Sequence, residues 1–308
     1  MKGEARMDLL SLRCFQVVAR HEHISRAADE LRVAQPSVSR TIARLESELG
    51  VPLFDRRGRR IRLNQHGAAF LRRVDRALGE LEDGRRELAD AAGAEGGSVT
   101  VAAETLLTLT ELLSRFRATH PDVDVRLHQS PPDSMARRLR TRDVDLCLAS
   151  QPLTGPALAS VELLREDVLL AVPSGHRLAD RQGVDVAALD GEPFVTPSRG
   201  HWQRALTDQL FAQAGARPTI ICEGNEPGAI MDLVAAGLGI ALLPAMARDS
   251  RPHEGVAWIR LQAPGCHRVL TLVRHKDVYL SAAARRFADF TVEHFRRAAP
   301  SSDGPLGG

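Results

Sequence analysis

The clearest chemistry in this chain lies in five side chains between residues 35 and 44. Gln35, Ser37, Arg40, Thr41 and Arg44 stand on one side of a helical repeat. Val38, Ile42, Leu45 and Leu49, at steps of four, three and four, form an apolar stripe on the other. The five are short or forked hydrogen-bonding groups with no apolar neighbour on their own side. Such a set can read base edges in a major groove and hold phosphates on its rim. An ordinary solvated face of an amphipathic helix has a similar composition, so the flanking elements must decide.

Those flanks have a definite order. Ser25 can cap a preceding short helix, whose Ala27, Ala28 and Leu31 give a small-residue face that lets a second helix approach closely. Arg32-Val33-Ala34 is short enough for the turn of a helix-turn-helix, although it lacks the frequent glycine. Pro36 suits the first turn of the next helix, and Gly50 and Pro52 end it. Two short strands, over 53–56 and 61–63, then surround Arg57-Gly58-Arg59-Arg60. In this basic hairpin the glycine permits the turn, and Arg57, Arg59 and Arg60 would flank a phosphate backbone. Upstream, Asp8 can cap a helix with Leu12, Phe15, Val18 and Ala19 on its inner face. His21-Glu22-His23 offers two histidines with no third ligand nearby and reads as a polar turn, not a metal site. Small-residue helix, polar-faced helix and basic hairpin, in that order, favour double-stranded DNA as the partner.

Asn64 caps a long helix in which Leu71, Val74, Leu78, Leu81 and Leu88 follow coiled-coil spacing, interrupted at Arg85. The spacing predicts a dimer seam; the alternative is a helix lying on its own domain. Gly93 and Gly96-Gly97 read as a hinge. From Ser98 the pattern changes to strands (99–102, 123–128, 144–149) alternating with helices (105–119, 134–142), which predicts a mainly parallel sheet covered by helices. After a strand over 167–172 comes a second group: strands over 194–195, 218–222 and 240–243, with helices over 201–214 and 227–236. A strand over 269–274 and a last helix over 282–297 return to the first group, and 301–308 reads as a frayed tail.

Composition sets limits. The 308 residues are 44% hydrophobic and 26% charged, enough for two or three domains with sizeable cores. The net charge of +2 is unevenly spread: residues 1–65 carry thirteen Lys/Arg against eight Asp/Glu, so the remainder is slightly acidic. An anionic partner is expected for the head only. Cys14, Cys147, Cys222 and Cys266 are far apart in apolar surroundings and read as buried thiols, with no metal site. Neither a signal peptide nor a membrane-length apolar run is present, so a cytoplasmic protein is expected. No catalytic constellation emerges: Gly237-Leu238-Gly239 lacks the third glycine of a dinucleotide loop and lies between helix and strand, the reverse of the required order. No cofactor and no enzymatic activity are expected.

The stretch AADELRVAQPSVSRTIARLESELGVPLFDRRGRRIRL resembles the winged helix-turn-helix of LysR-type transcriptional regulators. The resemblance rests on the Ala-Ala pair, the Gln-Pro-Ser opening, Leu45-Glu46, Leu49-Gly50, Leu53-Phe54 and the wing arginines. Ala34 departs from the usual serine, and Asn64 from the common threonine. Met7-Asp8-Leu9 looks like the family's usual start, so 1–6 reads as an upstream extension or a misassigned start. VAAGLGIALLP and the strand-helix order extend the resemblance over almost the whole chain. It implies an α/β protein with a winged helix-turn-helix over 1–65, a linker and dimerisation helix over 66–95, and an effector-binding domain over 96–308. That domain would be two-lobed and periplasmic-binding-protein-like, with lobe I at about 96–168 plus 267–298 and lobe II at about 169–266. It further implies a homodimer or homotetramer, with RNA polymerase and a small-molecule effector as partners. A periplasmic solute-binding receptor shares the two-lobed fold, but it needs export and has no basic winged head.

In open α/β sheets ligands lie beyond the carboxyl ends of strands. Here those places carry Thr105, Ser130, Thr196, Ser198, Arg199, Trp202, Asn225 and Glu226, and the family arrangement raises Thr105, Thr196 and Ser198 above the rest. Helix N-termini at Thr105, Ser198 and Asn225 would offer free N–H groups to a carboxylate, Arg199 a charge-assisted bond, and Trp202 a flat wall. Glu104 and Glu226 oppose a purely anionic ligand, so a zwitterion or a hydroxy acid is the other expectation, beside an anion with the glutamates turned outward.

Overall fold

Asp8 opens the first helix through a reciprocal cap: its carboxylate accepts the Ser11 N–H at 2.7 Å, and its own N–H donates to Ser11 Oγ at 3.2 Å. This helix, α1 (Leu9–His21), packs with α2 (Ile24–Leu31) and α3 (Gln35–Leu49) into a three-helix unit. The computed structural model describes residues 7–57, 60–93, 96–155, 157–250 and 254–298. The predicted extension at 1–6, the hairpin tip Gly58-Arg59 and the tail at 301–308 lie outside them.

The cap of α2 is His23, not Ser25, because the imidazole accepts the Arg26 N–H while Ser25 already lies inside the first turn. Arg32 then adopts the left-handed conformation, φ 54°, that the missing glycine would have supplied. The Val33 N–H closes on the Ala28 carbonyl at 3.0 Å and offsets part of the strain. Ala34 is the uncapped N-cap of α3, and Pro36 sits in its first turn. Val38, Ile42 and Leu45 are buried against Ala27 and Ala28. Glu46 accepts the N–H groups of Leu53 and Phe54 at 2.8 and 3.2 Å, fixing the start of β1 (Phe54–Arg57). Glu22 accepts the Leu63 N–H at 2.9 Å and ties the helix turn to β2 (Arg60–Leu63), which runs antiparallel to β1. His21 pairs with Glu30, so the His-Glu-His triplet is spent on structure.

Asn64 caps α4 (Gln65–Ala91): its amide oxygen accepts the Gly67 N–H at 2.8 Å, and its amide nitrogen donates to the Pro52 carbonyl at 2.9 Å. The seam expected along α4 divides. Val74, 2% exposed, belongs to the core of its own unit, and Leu71 and Leu78 pack against that core. This corrects Val74 as a dimer contact: one apolar stripe first serves the domain beneath it. Leu81 and Leu88, 55% and 72% exposed, remain open.

The second unit spans 92–308. Its first sheet sets β4 (Asp124–Gln129), β3 (Ser98–Ala103) and β5 (Leu146–Ala149) parallel, with α5 (Thr110–Thr119) and α6 (Pro132–Arg140) as crossovers. A long strand, β6 (Leu158–Pro173), replaces the shorter one expected over 167–172. Between it and β5 lies β12 (His267–His275), antiparallel to both, and α10 (Ala282–Ala298) covers this lobe. The final strand and helix thus return to the first group, as their position in the sequence suggested.

At Asp167/Val168 β6 changes sheets. Its second half pairs antiparallel with β10 (Ala241–Pro244) and β11 (Val256–Leu261). The chain between supplies β7 (Gly183–Val184), parallel to β11, and β8 (Pro193–Thr196), parallel to β9 (Thr219–Glu223). It also supplies α7 (Trp202–Ala214), α8 (Pro227–Ala235) and α9 (Ala245–Ser250). The expectation of a mainly parallel sheet is corrected to two mixed sheets, because the strands that cross between lobes run against the βα units. Gly237 takes φ 80° to end α8, and a Cβ at Gly239 would lie 2.5 Å from the Pro193 carbonyl oxygen, so Gly-Leu-Gly is a packing device. Cys14 and Cys147 are buried, but Cys222 and Cys266 are only partly so; Cys266 donates its S–H to the Val168 carbonyl at the sheet change.

Gly67 supplies a test of how the wing is seated. A Cβ there would lie 2.1 Å from the Leu53 carbonyl oxygen, a backbone atom that cannot swing away. Gly67→Ala is expected to destabilise the N-terminal unit by about 1–3 kcal/mol, read from urea denaturation. An unchanged midpoint would contradict the close approach of α4 to the wing.

Candidate functional site

Two surfaces gather the chain's polar side chains, one in each unit. In the N-terminal unit, Gln35, Arg40 and Arg44 are exposed on α3, with Ser37 and Thr41 partly buried between them. Arg40 is steadied by a 3.3 Å bond from its Nε to the Pro36 carbonyl. Arg44 lies 3.6 Å from the Asp8 carboxylate, an exposed pair of at most about 1 kcal/mol that a phosphate can replace. The backbones of Arg57 and Arg60 face each other at the ends of β1 and β2; Arg59 lies outside the described residues.

In the second unit a cavity of about 530 Å³ opens between the lobes. Glu104, Gln129, Ser130 and Asp133 line it from the first lobe, and Ser198, Arg199, His201, Asn225 and Glu226 from the second. These residues follow the carboxyl ends of β3, β4, β8 and β9. A larger depression of about 770 Å³ is lined by Gln182, Trp258 and Arg260. It contains none of the buried polar atoms that lack partners, whereas the crevice contains Glu104 Oε1 and Oε2, Ser130 Oγ and His201 Nε2. Groups of that kind are rare in folded proteins and call for an explanation, which makes the crevice the candidate site.

Its electrostatics follow from one cross-strand pair. Glu166 on β6 and Arg268 on β12 are partners in register, and their charged groups lie 2.6 Å apart, both buried. Glu166 also accepts the Met246 N–H at 2.7 Å, and the Arg268 guanidinium lies over the Trp202 ring, 5.5 Å from its centroid. Burial pulls Arg268 below its usual value, against Glu166 and Glu104. The Glu104 carboxyl, pushed up to about 7 by burial, is only partly stabilised by Arg268. Ser150 is near enough to ease that cost, yet neither Glu104 oxygen has a hydrogen-bond partner of ordinary geometry. Burial and the same guanidinium depress His201 to about 4, so its ring is neutral at pH 7. Two carboxylates share one cation.

Of the eight residues expected to bind effector, Ser130, Ser198, Arg199, Asn225 and Glu226 line the cavity; Thr105, Thr196 and Trp202 do not. Trp202 is buried among the second lobe's apolar residues with Arg268 on its face, which corrects its expected role as a wall. Thr105 Oγ1 accepts the Leu107 N–H at 3.2 Å. The N–H expected to be free at Ser198 is corrected as well: it donates to Asn225 Oδ1 at 3.0 Å, as does the Ser198 hydroxyl at 2.9 Å. After Asn225 the helix opens on Pro227, which has no N–H to offer. Sequence reasoning missed Glu166 and Arg268, since charged residues inside strands read as exposed positions. The clue available was a charge in each strand where the two groups of elements join.

Proton linkage gives a prediction with a definite sign. A carboxyl whose folded value is raised favours the folded state when protonated. Its contribution is therefore lost as pH rises from the unfolded value of 4.5 to about 7. His201, depressed from 6.5 to about 4, works in the opposite sense over much of that range. The difference between wild type and Glu104→Gln isolates the first effect. The variant should gain relative stability by ~2–3 kcal/mol between pH 4.5 and 7.5, measured by denaturant unfolding. A difference independent of pH would contradict the buried, partnerless carboxyl.

Residues 9–68 match the family described as bacterial regulatory helix-turn-helix protein, lysR family, and residues 92–296 match the LysR substrate binding domain. The HTH-type transcriptional regulator YybE of Bacillus subtilis (strain 168) is 35% identical over 292 residues, covering 94% of this chain and 99% of YybE. A solved structure of full-length OxyR from Pseudomonas aeruginosa, 22% identical, covers 98% of this chain and 100% of its own with a TM-score of 0.73, a likeness of fold. Full-length CbnR, solved in complex with its target DNA, is 25% identical with a TM-score of 0.63, covering 95% of this chain and all of its own. A winged head whose α3 presents a polar face, joined in sequence to a two-lobed domain with a polar crevice, is matched along nearly its whole length: the chain belongs to the LysR family of DNA-binding transcriptional regulators and carries that family's effector-binding domain.

Proposed function

We propose that this regulator binds double-stranded DNA sequence-specifically as a homodimer or homotetramer in the cytoplasm, and that a small polar effector in the inter-lobe crevice sets its activity. The observation that carries the effector reading is the set of buried polar atoms without partners on both walls of one cavity: Glu104 and Ser130 from the first lobe, His201 from the second. A carboxylate or a zwitterion of small size suits a cavity of about 530 Å³. The polar face of α3 supports base reading by Gln35, Ser37 and Arg40, with Thr41, Arg44 and the wing arginines Arg57, Arg59 and Arg60 on the phosphates. Leu81 and Leu88, exposed along α4, support a seam between two copies, to which Leu71 and Leu78 add their outer edges. The chain acts by binding and carries no catalytic role.

Footprinting with residues 1–92 is expected to show two protected half-sites about one helical turn, or a multiple, apart. Arg40→Ala should relax base preference at one position by roughly 1–3 kcal/mol, while Arg59→Ala should lower the salt slope by about 0.9 with sequence choice intact. A fragment that footprints no DNA, or a wing variant that alters sequence choice, would overturn this division of roles.

The effector reading has its own test in the full-length protein. Titration calorimetry with small organic acids and amino acids, with and without operator DNA, should find a ligand whose affinity changes with DNA by the factor by which it changes DNA affinity. Ser130→Ala and Ser198→Ala should weaken it; unchanged affinity in both would remove this crevice as the site.

A further inference from the structure

We propose that the crevice recognises its effector through a protonated amine seated on the Glu104 carboxylate, so that the effector is an amino acid or another small zwitterion and not a simple organic anion. The proposal rests on the crevice reading above and assigns its chemical class.

Glu104 is 6% exposed and lines the cavity; Ser150 is near enough to ease its burial, but neither oxygen has a hydrogen-bond partner of ordinary geometry. Among the described residues the cations beside it are Arg268, which also serves Glu166, and Arg199, exposed at the mouth of the cavity. Arg268 lies 2.6 Å from Glu166 and over the Trp202 ring, with its Nε a further buried donor that has no partner. His201 is held neutral by burial and by that guanidinium. The nearest amide, Gln129, donates to the Glu104 carbonyl and to the Glu226 carboxylate, not to the Glu104 side chain. Glu104 and Glu166 share one buried guanidinium, so an ionised Glu104 has no buried cation of its own. An ammonium supplies that charge together with three donors. A simple carboxylate would instead bring a further negative charge to a poorly solvated one, the more costly arrangement.

The same cavity provides for the other end of a zwitterion. His201 Nδ1 accepts the Gln203 N–H at 3.3 Å, which places the ring proton on Nε2, a buried donor without a partner. Ser130 is 2% exposed and its Oγ is likewise unpartnered, and Arg199 stands exposed at the mouth. One unmet acceptor and one unmet donor on the first lobe, with a second unmet donor on the other, describe a ligand with both signs of charge.

The charged and titratable groups that share the cavity with Glu104 are His201 and Arg199 ahead of α7, Asp133 from α6 and Glu226 ahead of α8, and Arg268 from β12, itself paired with Glu166 from β6, acts on it electrostatically. Because the carboxyl is pushed up to about 7, an ammonium must displace its proton below that pH. Affinity should then tighten by about tenfold per pH unit toward 7 and level off above it. A ligand that accepts a hydrogen bond from protonated Glu104 would show the opposite slope.

The test is calorimetry on the full-length protein at pH 6 and 8. The probes are the common amino acids, each paired with its 2-hydroxy acid and with the amine lacking the carboxylate. Expected are an amino acid that binds at least tenfold more tightly than its hydroxy acid, tighter binding at pH 8, and proton release at pH 6. Glu104→Gln should abolish both the preference and the pH dependence while keeping a cooperative unfolding transition. The proposal falls if hydroxy acids bind as well as amino acids, if affinity tightens in acid, if Glu104→Gln binds unchanged, or if no amine binds. In the last case, binding of a hydroxy acid that Ser130→Ala weakens leaves the crevice standing as the effector site. Failure of every probe removes both readings.

Discussion

The effector domain depends on the Glu166–Arg268 pair at the point where its two sheets exchange strands. Asp167/Val168 is where β6 leaves one sheet for the other, and β12 begins opposite it. The partners sit one residue inside that junction, buried and 2.6 Å apart. A buried pair of this kind adds little net stability over a well-packed apolar pair, yet removing either partner strands a charge and costs about 3–5 kcal/mol. Its structural value is positional. Glu166 reaches the N-terminus of α9, and Arg268 reaches the ring at the start of α7, so elements of the second lobe are registered on strands that begin in the first. The charge that organises the junction also sets the potential in the crevice beside it.

In the N-terminal unit the governing constraint is apolar and local. Ala27 and Ala28 permit the close approach of α2 and α3, and the buried stripe of Val38, Ile42 and Leu45 turns Gln35, Arg40 and Arg44 outward. A strained Arg32 and an uncapped α3 are tolerated because Glu22, Glu46 and Asn64 bind backbone groups across the unit. Rigidity of this sort matters for base reading, since a recognition side chain discriminates only when its backbone holds it in place.

Much of this was legible in the sequence, and the reasons are physical. Elements built on local periodicity and capping, such as the Val38–Leu45 stripe and the Asn64 cap, announce themselves through nearby residues. The division of the α4 stripe did not: heptad spacing looks the same whether Val74 packs on its own domain or on a second copy. Nor did the length of β6, because its two halves are buried in different sheets and alternate differently. In the crevice, polar residues at strand ends were visible as a class, and five of eight line the cavity. Thr196 does not line it, and Thr105 and Trp202 fall away from it because a backbone bond and core packing decide their orientation, which spacing does not encode. Glu166 and Arg268 escaped notice because their meaning arises only when strands 102 residues apart lie side by side.

A molecule that binds this crevice can shift the arrangement of the lobes only by as much as it prefers one arrangement to another. Contacts confined to one wall give no such preference. Glu104 and Ser130 belong to one lobe and His201 to the other, so a ligand that satisfies all three is sensitive to their spacing. The unmet polar atoms thus have a second consequence. While the crevice is empty, their desolvation opposes any closure that would shut out water; a ligand that pairs them removes that opposition. The junction pair remains beneath, and its guanidinium feels each change of charge at Glu104. Ligand chemistry and lobe geometry are therefore coupled through the same few atoms.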